Sequence, residues 1–144
     1  MEVTLREPQG PEEFERYYAL RWKILRQPWD QPRESEKDEH EAQAVHLTAW
    51  VEGSLVGVGR LHFNSPAEAQ IRYMAVEEQF RNQNVGAEIL RELENRARQR
   101  GARAIVLNAR DRAVHFYQKH GYQIQAKAES LFDSVDHWAM SKQL

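Results

Sequence analysis

Residues 69–101 read AQIRYMAVEEQFRNQNVGAEILRELENRARQRG, and the fold prediction starts from this pattern. Ala69 to Val76 alternate in polarity at first and predict a β-strand. From about Asn84 to Arg100 the apolar residues recur at helical spacing, and Gly101 ends the helix after a basic last turn. The stretch therefore predicts a strand, a polar loop and an amphipathic helix in succession.

The loop between these two elements has the features of an anion-binding site. A loop that enters a helix N-terminus leaves backbone N–H groups without partners at the positive end of the helix dipole, so residues 81–87 can bind phosphate. Gly86 lets an anion approach the backbone closely. A P-loop is excluded because no Gly-Lys-Ser/Thr follows. Gly57-Val58-Gly59 lies inside a predicted strand and lacks the third glycine of a dinucleotide fingerprint.

The rest of the chain predicts a single α/β domain, residues 1–144. Val45–Val51 and Leu55–Phe63 alternate in polarity and form an antiparallel hairpin, which Ala69–Val76 extends into a meander. Ala102–Leu107 follows a helical crossover and is expected to lie parallel to the strand before the helix. The order is β-α-β-β-β-α-β-α-β-β, completed by an edge strand at Val3–Leu5, a helix from Pro11, a helix at Arg110–His120 and an antiparallel pair at Tyr122–Ala126 and Leu131–Met140.

Composition narrows the possible functions. The 144 residues, 41% of them hydrophobic, suffice for one core. The absence of cysteine excludes disulfides, thiolate metal sites and cysteine nucleophiles, and the six scattered histidines predict no metal site. A net charge of −2 argues against a nucleic-acid partner. Because no apolar run or leader predicts a membrane span or export, a cytoplasmic protein is expected.

Two runs of charge lie on either side of the meander. From Arg33 to Glu41 five acidic residues oppose two basic ones, and from Arg81 to Arg112 eight arginines oppose four acidic residues. Each run is typical of a solvated surface. Together they also suit a protein that binds an anion at one end and a cation at the other. In the second interpretation, the acidic loop Gln27–Glu41 recognises a cationic amine.

The loop and a second block resemble the GNAT family of acetyl-CoA-dependent N-acyltransferases. Arg81-Asn82-Gln83-Asn84-Val85-Gly86 resembles the family loop Gln/Arg-x-x-Gly-x-Gly/Ala, with Asn84 in place of the middle glycine. Asn tolerates the left-handed backbone region better than most residues. The block Ala113-Val114-His115-Phe116-Tyr117-Gln118-Lys119-His120-Gly121-Tyr122, which follows Asn108, resembles the family's Ala-x-x-Phe-Tyr-x-Lys-x-Gly-Phe/Tyr. Leu20–Pro28 and Phe132–Met140 are similar to segments of the ElaA/YjcF-type branch.

The resemblance implies a fold, a cosubstrate and its binding residues. The implied GNAT fold has a mixed central sheet with an N-terminal antiparallel meander, a parallel pair of strands at the coenzyme site and flanking helices. The implied cosubstrate is acetyl-CoA, with no metal. The implied coenzyme-binding residues are Met74, Ala75, Val76, Arg81, Asn82, Gln83, Asn84, Val85, Gly86, Ala87, Asn108, Tyr117 and Lys119.

Acyl transfer to an amine needs a base and a proton donor, because only the deprotonated amine attacks and because the thiolate leaves. By resemblance, Tyr117 is the donor. Strand alternation predicts that four residues share one face of the sheet: Gln70, Arg72, Met74 and Val76. None of the first three is a convincing base. His137, in the last strand, is the predicted catalytic base. Asp136, His40 and Glu41, acting through water, remain alternatives.

Three classes of function are compatible with these observations. The first is an N-acetyltransferase that acts on a primary amine of a small molecule or peptide. The second is a non-catalytic acyl-CoA-binding regulatory module. The third is a tRNA-targeting acetyltransferase toxin, which the lack of net positive charge disfavours. By family resemblance a homodimer is possible, and four tryptophans could lie in the core or at an interface: Trp22, Trp29, Trp50 and Trp138.

Overall fold

The computed structural model describes residues 1–132 and 134–144, which form seven strands and three α-helices. In chain order these are β1 (Thr4–Arg6), α1 (Gly10–Leu25), β2 (Val45–Val51), β3 (Ser54–Phe63), β4 (Glu68–Val76), α2 (Val85–Gln99), β5 (Ala104–Arg110), α3 (Val114–Lys119), β6 (Gln123–Leu131) and β7 (Val135–Gln143). The order of elements is the predicted one. Asp133, which the predicted strand Leu131–Met140 includes, lies outside the described residues. In the part of the chain that is described, no helix is long and apolar enough to span a membrane.

All seven strands join one mixed sheet in the order β1-β2-β3-β4-β5-β7-β6. β4 and β5 are parallel, and every other neighbouring pair is antiparallel. The parallel pair is the one that α2 connects, because a helical crossover returns the chain to the same end of the sheet. The predicted meander and the predicted parallel pair are confirmed.

Helices cover both faces of the sheet. On one face, α2 packs Ile89 and Leu93 into the main apolar core. On the other face, α1 packs Tyr17 and Leu20 against Val58. β2 is buried along its whole length. A strand buried in this way has both faces covered, so the fold has three layers.

The C-terminal elements differ from the prediction at their boundaries. β5 continues to Arg110 instead of ending at Leu107, because it pairs with β7 as far as Arg110↔His137. The predicted helix at Arg110–His120 is therefore shorter, and a 3₁₀ turn at Asp111–Ala113 precedes α3. β6 extends past Ala126 because β7 remains available as its partner.

Two glycines in β3 let α2 approach the sheet closely. A Cβ atom at Gly59 would lie 2.8 Å from Ile89 Cγ2 and 3.0 Å from Leu93 Cδ1. A Cβ atom at Gly57 would lie 2.8 Å from Ile89 Cδ1. Both distances to Ile89 are shorter than carbon atoms tolerate. The Gly-Val-Gly pattern of β3 therefore serves helix packing.

A β-bulge in β4 overturns the predicted alternation of its side chains. Tyr73 has a φ of +62°, and the register with β3 shifts opposite this residue. Arg72 and Tyr73 consequently both face α1, and Arg72 pairs with Asp38. Met74 faces α2 instead. The prediction of one shared face is wrong: the α1 face holds Gln70 and Arg72, and the α2 face holds Met74 and Val76.

β4 and β5 separate after a short contact. Their register, among the residues described, consists of three pairs and ends at Gln70↔Val106. β4 nevertheless continues to Val76, and β5 continues to Arg110. The two strands therefore diverge and leave an opening at their carboxyl ends, where α/β sheets commonly bind ligands.

Gly59→Ala should lower the free energy of unfolding by about 1–3 kcal/mol, the usual range for overpacking a core. Ile89 Cγ2 is bonded directly to Cβ, so it can move away only if α2 moves or if Ile89 leaves the χ1 rotamer that a β-branched residue strongly prefers in a helix. Gly57→Ala is the matched control and should lose less stability, because Ile89 Cδ1 can rotate away from the new methyl group. Urea denaturation of both variants measures the difference. An equal loss, or no loss at Gly59, would contradict the close packing of α2.

Candidate active site

A cleft of about 1190 Å³ occupies the opening between β4 and β5. The first turn of α2 and the cleft-facing side of α3 form one wall. We call the opposite wall the α1 side of the cleft, and it contains Arg26, Arg72, Arg110 and His137. The cleft thus lies between a helix N-terminus and a group of basic side chains.

The N-terminus of α2 opens into the cleft. Asn84 is the N-cap residue, has a φ of +67°, and makes no side-chain hydrogen bond to the first turn. The first bond of the helix runs from the Glu88 N–H to the Asn84 carbonyl, so the N–H groups of residues 85–87 have no partner within the helix. Asn84 adopts the left-handed conformation that its place in the loop requires. The helix end is free to hold an anion.

Most of the predicted coenzyme-binding residues line this cleft. They are Met74, Ala75, Val76, Arg81, Asn82, Asn84, Gly86, Ala87, Asn108, Tyr117 and Lys119. Gln83 is not in the wall, and its side chain donates to the Gln79 carbonyl at 3.0 Å. The side chain of Val85 is buried in the α2 core, so this residue can offer only its backbone N–H.

Tyr117 lies in the cleft wall, with its ring packed edge-on against Phe116 and Tyr122. Its hydroxyl donates to Met74 Sδ at 3.5 Å. Burial raises the pKa of Tyr117 above that of a free phenol, so the hydroxyl keeps its proton. Thioether sulfur is a weak acceptor, and the phenol can exchange this partner for a better one.

His137 is buried in the opposite wall, where Nδ1 donates to the Val135 carbonyl at 3.0 Å. A carbonyl can only accept, so in the neutral ring the proton lies on Nδ1 and Nε2 keeps a lone pair. Burial lowers the pKa of His137, and Arg110 and Arg26 lower it further. These conditions favour the neutral, basic form of the ring.

The alternative bases are less well placed. Asp136 is exposed, accepts a hydrogen bond from Ser130 Oγ at 2.7 Å, and is not in the cleft wall. Glu41 is outside the wall and accepts from Arg21 at 3.0 Å. His40 does line the cleft, and its ring stacks on His62 with the ring centroids 4.0 Å apart. Of the predicted bases, His137 and His40 therefore reach the cleft.

The acidic loop turns the carboxylates of Asp38 and Glu41 inward. Arg60, whose side chain is fully buried, donates to Asp38 at 2.6 Å and to Glu41 at 2.5 Å. Arg72 pairs with the second Asp38 oxygen at 2.7 Å. Burial opposes ionisation of Asp38, but the hydrogen bonds from Arg60 and from the His40 N–H, together with the charges of Arg60 and Arg72, outweigh it and lower the pKa of this carboxyl. The negative charge of these two acids is neutralised inside the protein, which removes the basis for recognition of a cationic amine by them.

The basic residues of the α1 side were not among the residues predicted from the sequence. Arg26 is the C-cap residue of α1 and Arg110 ends β5, so they are far apart in the sequence and no periodic pattern relates them. One local signal was available, because Arg110 lies two positions after Asn108 and strand alternation puts both on the same face. Nothing in the sequence indicated that Arg26 would join them.

Comparisons with known proteins agree with this geometry. Residues 14–122 match the model of the acetyltransferase (GNAT) family. The uncharacterized N-acetyltransferase YjcF of Bacillus subtilis (strain 168) is 30% identical over 134 residues, which cover 93% of this chain and 95% of that protein. Escherichia coli ElaA has a crystal structure that matches with a TM-score of 0.81 and 19% identity over 99% of both chains.

A further crystal structure matches the fold with a ligand present. A GNAT family acetyltransferase from Elizabethkingia anophelis, with acetyl-CoA bound, has a TM-score of 0.75 and 16% identity, covering 99% of this chain and 98% of that one. The family match includes the meander, the loop before α2 and the block around Tyr117. The predicted resemblance to ElaA and YjcF is confirmed, and the chain belongs to the acetyltransferase (GNAT) family.

Proposed function

We propose that this protein transfers the acetyl group of acetyl-CoA directly to a primary amine of a small molecule or peptide, within a ternary complex. The observation that carries the proposal is that one cleft contains the uncapped N-terminus of α2, the phenol of Tyr117 and the imidazole of His137. An anion site, a proton donor and a base are the groups that transfer from a thioester to an amine requires.

The residues of the cleft fit acetyl-CoA. The free N–H groups of residues 85–87 suit a pyrophosphate, and Arg81 and Lys119 add positive charge in the same wall. Beyond Gln70 and Val106, the facing edges of β4 and β5 offer backbone hydrogen-bonding groups to an extended, amide-containing arm. The Elizabethkingia relative with bound acetyl-CoA supports the same cosubstrate.

The reaction requires two proton transfers. The amine nitrogen attacks the thioester carbonyl carbon, a C–N bond forms, the C–S bond breaks, and the products are an amide and the free thiol of CoA. An alkylammonium, with a pKa near ~10.4, is not a nucleophile until it loses a proton. After the attack the nitrogen is positively charged and must lose a second proton, and the departing thiolate is the recipient of that proton, so one proton is released overall.

His137 and Tyr117 are suited to these two transfers. The lone pair on His137 Nε2 accepts the proton from the amine, while the bond from Nδ1 to Val135 fixes the tautomer. Tyr117 remains protonated and gives up the weak bond to Met74 to donate to the thiolate sulfur. One wall of the cleft thus supplies the proton acceptor, and the other wall supplies the proton donor.

Gly86→Glu should weaken CoA binding at least tenfold, about 1.4 kcal/mol or more. The new side chain would start between Phe116 and Val76, both in the cleft wall, and its carboxylate would repel the phosphates. The fold should be retained, because acids are favourable in the first turn of a helix. Calorimetric titration with CoA measures the effect. Asn95→Glu, which adds the same charge at an exposed position of α2, should bind CoA like the wild type. An unchanged dissociation constant in Gly86→Glu would contradict the anion site.

Tyr117→Phe should lower kcat roughly 10–10³-fold while acetyl-CoA binding stays nearly normal, because the ring and its packing are retained and the proton donor is lost. Pre-steady-state and steady-state measurements of thiol release separate chemistry from product release. Tyr122→Phe is the matched control: it removes a buried hydroxyl that bonds to Glu94 at 2.8 Å outside the cleft, and kcat should hold. If chemistry limits the rate and kcat is unchanged in Tyr117→Phe, then Tyr117 has a packing role.

His137→Gln should lower kcat/KM about 10²–10⁴-fold at neutral pH. The ratio of wild-type to variant kcat/KM cancels the ionisation of the acceptor, so it reports the base alone. Protonation of the imidazole disables the base, so the ratio should fall towards acid pH. Its midpoint should lie below about 6.5, because burial and the nearby arginines lower the pKa of His137.

The control for His137 is the exposed histidine of α3. His115→Gln should keep a pH-independent ratio near one. A pH-independent ratio for His137→Gln would remove His137 as the base. The same profile measured for His40→Gln then decides whether the other histidine of the cleft wall takes that role.

A further inference from the structure

The α1 side of the cleft holds more positive charge than its acids neutralise. Asp38 is shared between Arg60 and Arg72, as described above. The other acids of the wall, Glu39 and Glu129, are exposed at its rim. Of the carboxylates in the described residues, none lies within 4.0 Å of a guanidinium nitrogen of Arg26 or Arg110.

Arg26 and Arg110 converge on one backbone oxygen. Arg26 Nη1 donates to the Leu25 carbonyl at 3.0 Å, and Arg110 Nη2 donates to the same carbonyl at 2.9 Å. Two like charges therefore meet at a neutral acceptor. Burial, together with Arg26 and Arg112, lowers the pKa of Arg110 to about 10. Arg110 Nη1 is buried and has no hydrogen-bond partner among the described residues.

Aromatic rings hold both guanidinium groups in position. Arg110 lies over the Trp29 ring at 4.5 Å, and Arg26 lies over the Phe132 ring at 5.4 Å. Trp29 and Phe132 stack on each other with 6.3 Å between their centroids. A guanidinium fixed in this way loses little freedom when it binds, and its planar fork matches an oxyanion.

The pair of arginines lies beside the proposed base. Arg110 and His137 are direct partners across β5 and β7, which puts their side chains next to each other on one face of the sheet. An anion bound by Arg26 and Arg110 would thus be a few atoms away from the nitrogen that His137 deprotonates. One small acceptor molecule can therefore place an anionic group at the two arginines and its amine at His137.

We propose that the acceptor bears an anionic group, a carboxylate or a phosphate, which Arg26 and Arg110 bind while His137 receives the proton of its amine. This inference rests on the proposed function and names its substrate class. The acceptor is then an amino acid or an aminoalkyl phosphate rather than a polyamine or an aminoglycoside. The anion supplies the negatively charged partner that the two convergent cations do not have among the described residues.

Matched pairs of acceptors test this inference in the wild-type enzyme. Thiol release from acetyl-CoA is measured with β-alanine and β-alaninamide, with 4-aminobutyrate and its amide, with 2-aminoethylphosphonate, and with spermidine. We expect kcat/KM for each acid to exceed that of its amide at least tenfold, about 1.4 kcal/mol. A higher kcat/KM for the phosphonate than for the carboxylates identifies a phosphate-bearing acceptor, and the reverse identifies a carboxylate-bearing one.

Substitutions of the arginines locate the effect. Arg110→Gln and Arg26→Gln should raise the KM of the acid acceptors at least tenfold, leave the KM of acetyl-CoA nearly unchanged, and remove most of the preference for each acid over its amide. Arg110→Lys keeps the positive charge but loses the planar guanidinium, so it should recover part of the preference for each acid over its amide. This variant replaces Arg110→Gln if the glutamine variant does not fold. Arg103→Gln, at an exposed position before β5, is the control and should behave like the wild type.

The outcomes separate this inference from the proposed function. Turnover of amides or spermidine as good as that of the acids overturns the anionic acceptor and leaves acetyl transfer standing. No thiol release with any amine overturns acetyl transfer to these acceptors. Thermal unfolding in the presence of CoA then tests anion binding without turnover: a rise in Tm with β-alanine or 2-aminoethylphosphonate that Arg110→Gln abolishes supports the anion site, and no rise with either compound overturns it.

Discussion

The separation of β4 from β5 is the constraint on which the rest of the molecule depends. Backbone groups inside a protein are almost always paired, yet these strands stop pairing at Gln70↔Val106 while both continue. The bulge at Tyr73 bends β4 where a fully regular strand would run alongside β5. Because the sheet opens, the ends of α2, α3 and β7 meet in one cleft. A continuous sheet would fill the same space with its own ladder of hydrogen bonds.

The second constraint is the free-energy cost of burying charged side chains, and it determines whether the α1 side of the cleft is positively or negatively charged. Removing the guanidinium groups of Arg21 and Arg60 from water is unfavourable unless carboxylates meet them in good geometry. The loop after α1 folds so that Asp38 and Glu41 meet this requirement. Part of a segment with an acidic composition, Asp38 and Glu41, therefore turns towards the interior, while Glu34 and Glu39 stay exposed. On the α1 side of the cleft, Arg26 and Arg110 have no carboxylate partner in the described residues, so the charge there is opposite to what the loop composition suggests.

Local patterns predicted the architecture, and tertiary contacts decided the details of the site. The order of elements along the chain, the meander and the parallel pair followed from periodicity and from the crossover helix, and the left-handed Asn84 agrees with its replacement of a glycine in the family loop. The bulge at Tyr73 was not predictable, because no glycine marks it and the arginines around its ring come from distant elements. For the same reason, the meeting of Arg26 with Arg110 could not be inferred. Contacts between residues that are far apart in the sequence produce no periodic pattern within it.

The missing side-chain cap on α2 leaves the stability of this helix open to a contribution from a bound anion. A side-chain N-cap stabilises a helix by roughly 1 kcal/mol, and Asn84 does not provide one. In the proposed binding mode the pyrophosphate takes the place of that cap. A ligand that binds the folded chain and not the unfolded one raises stability by mass action, and the fraction of unfolded chain governs degradation in the cell. In that binding mode the folded chain therefore gains stability as the concentration of CoA rises, and a smaller fraction of the chain is unfolded.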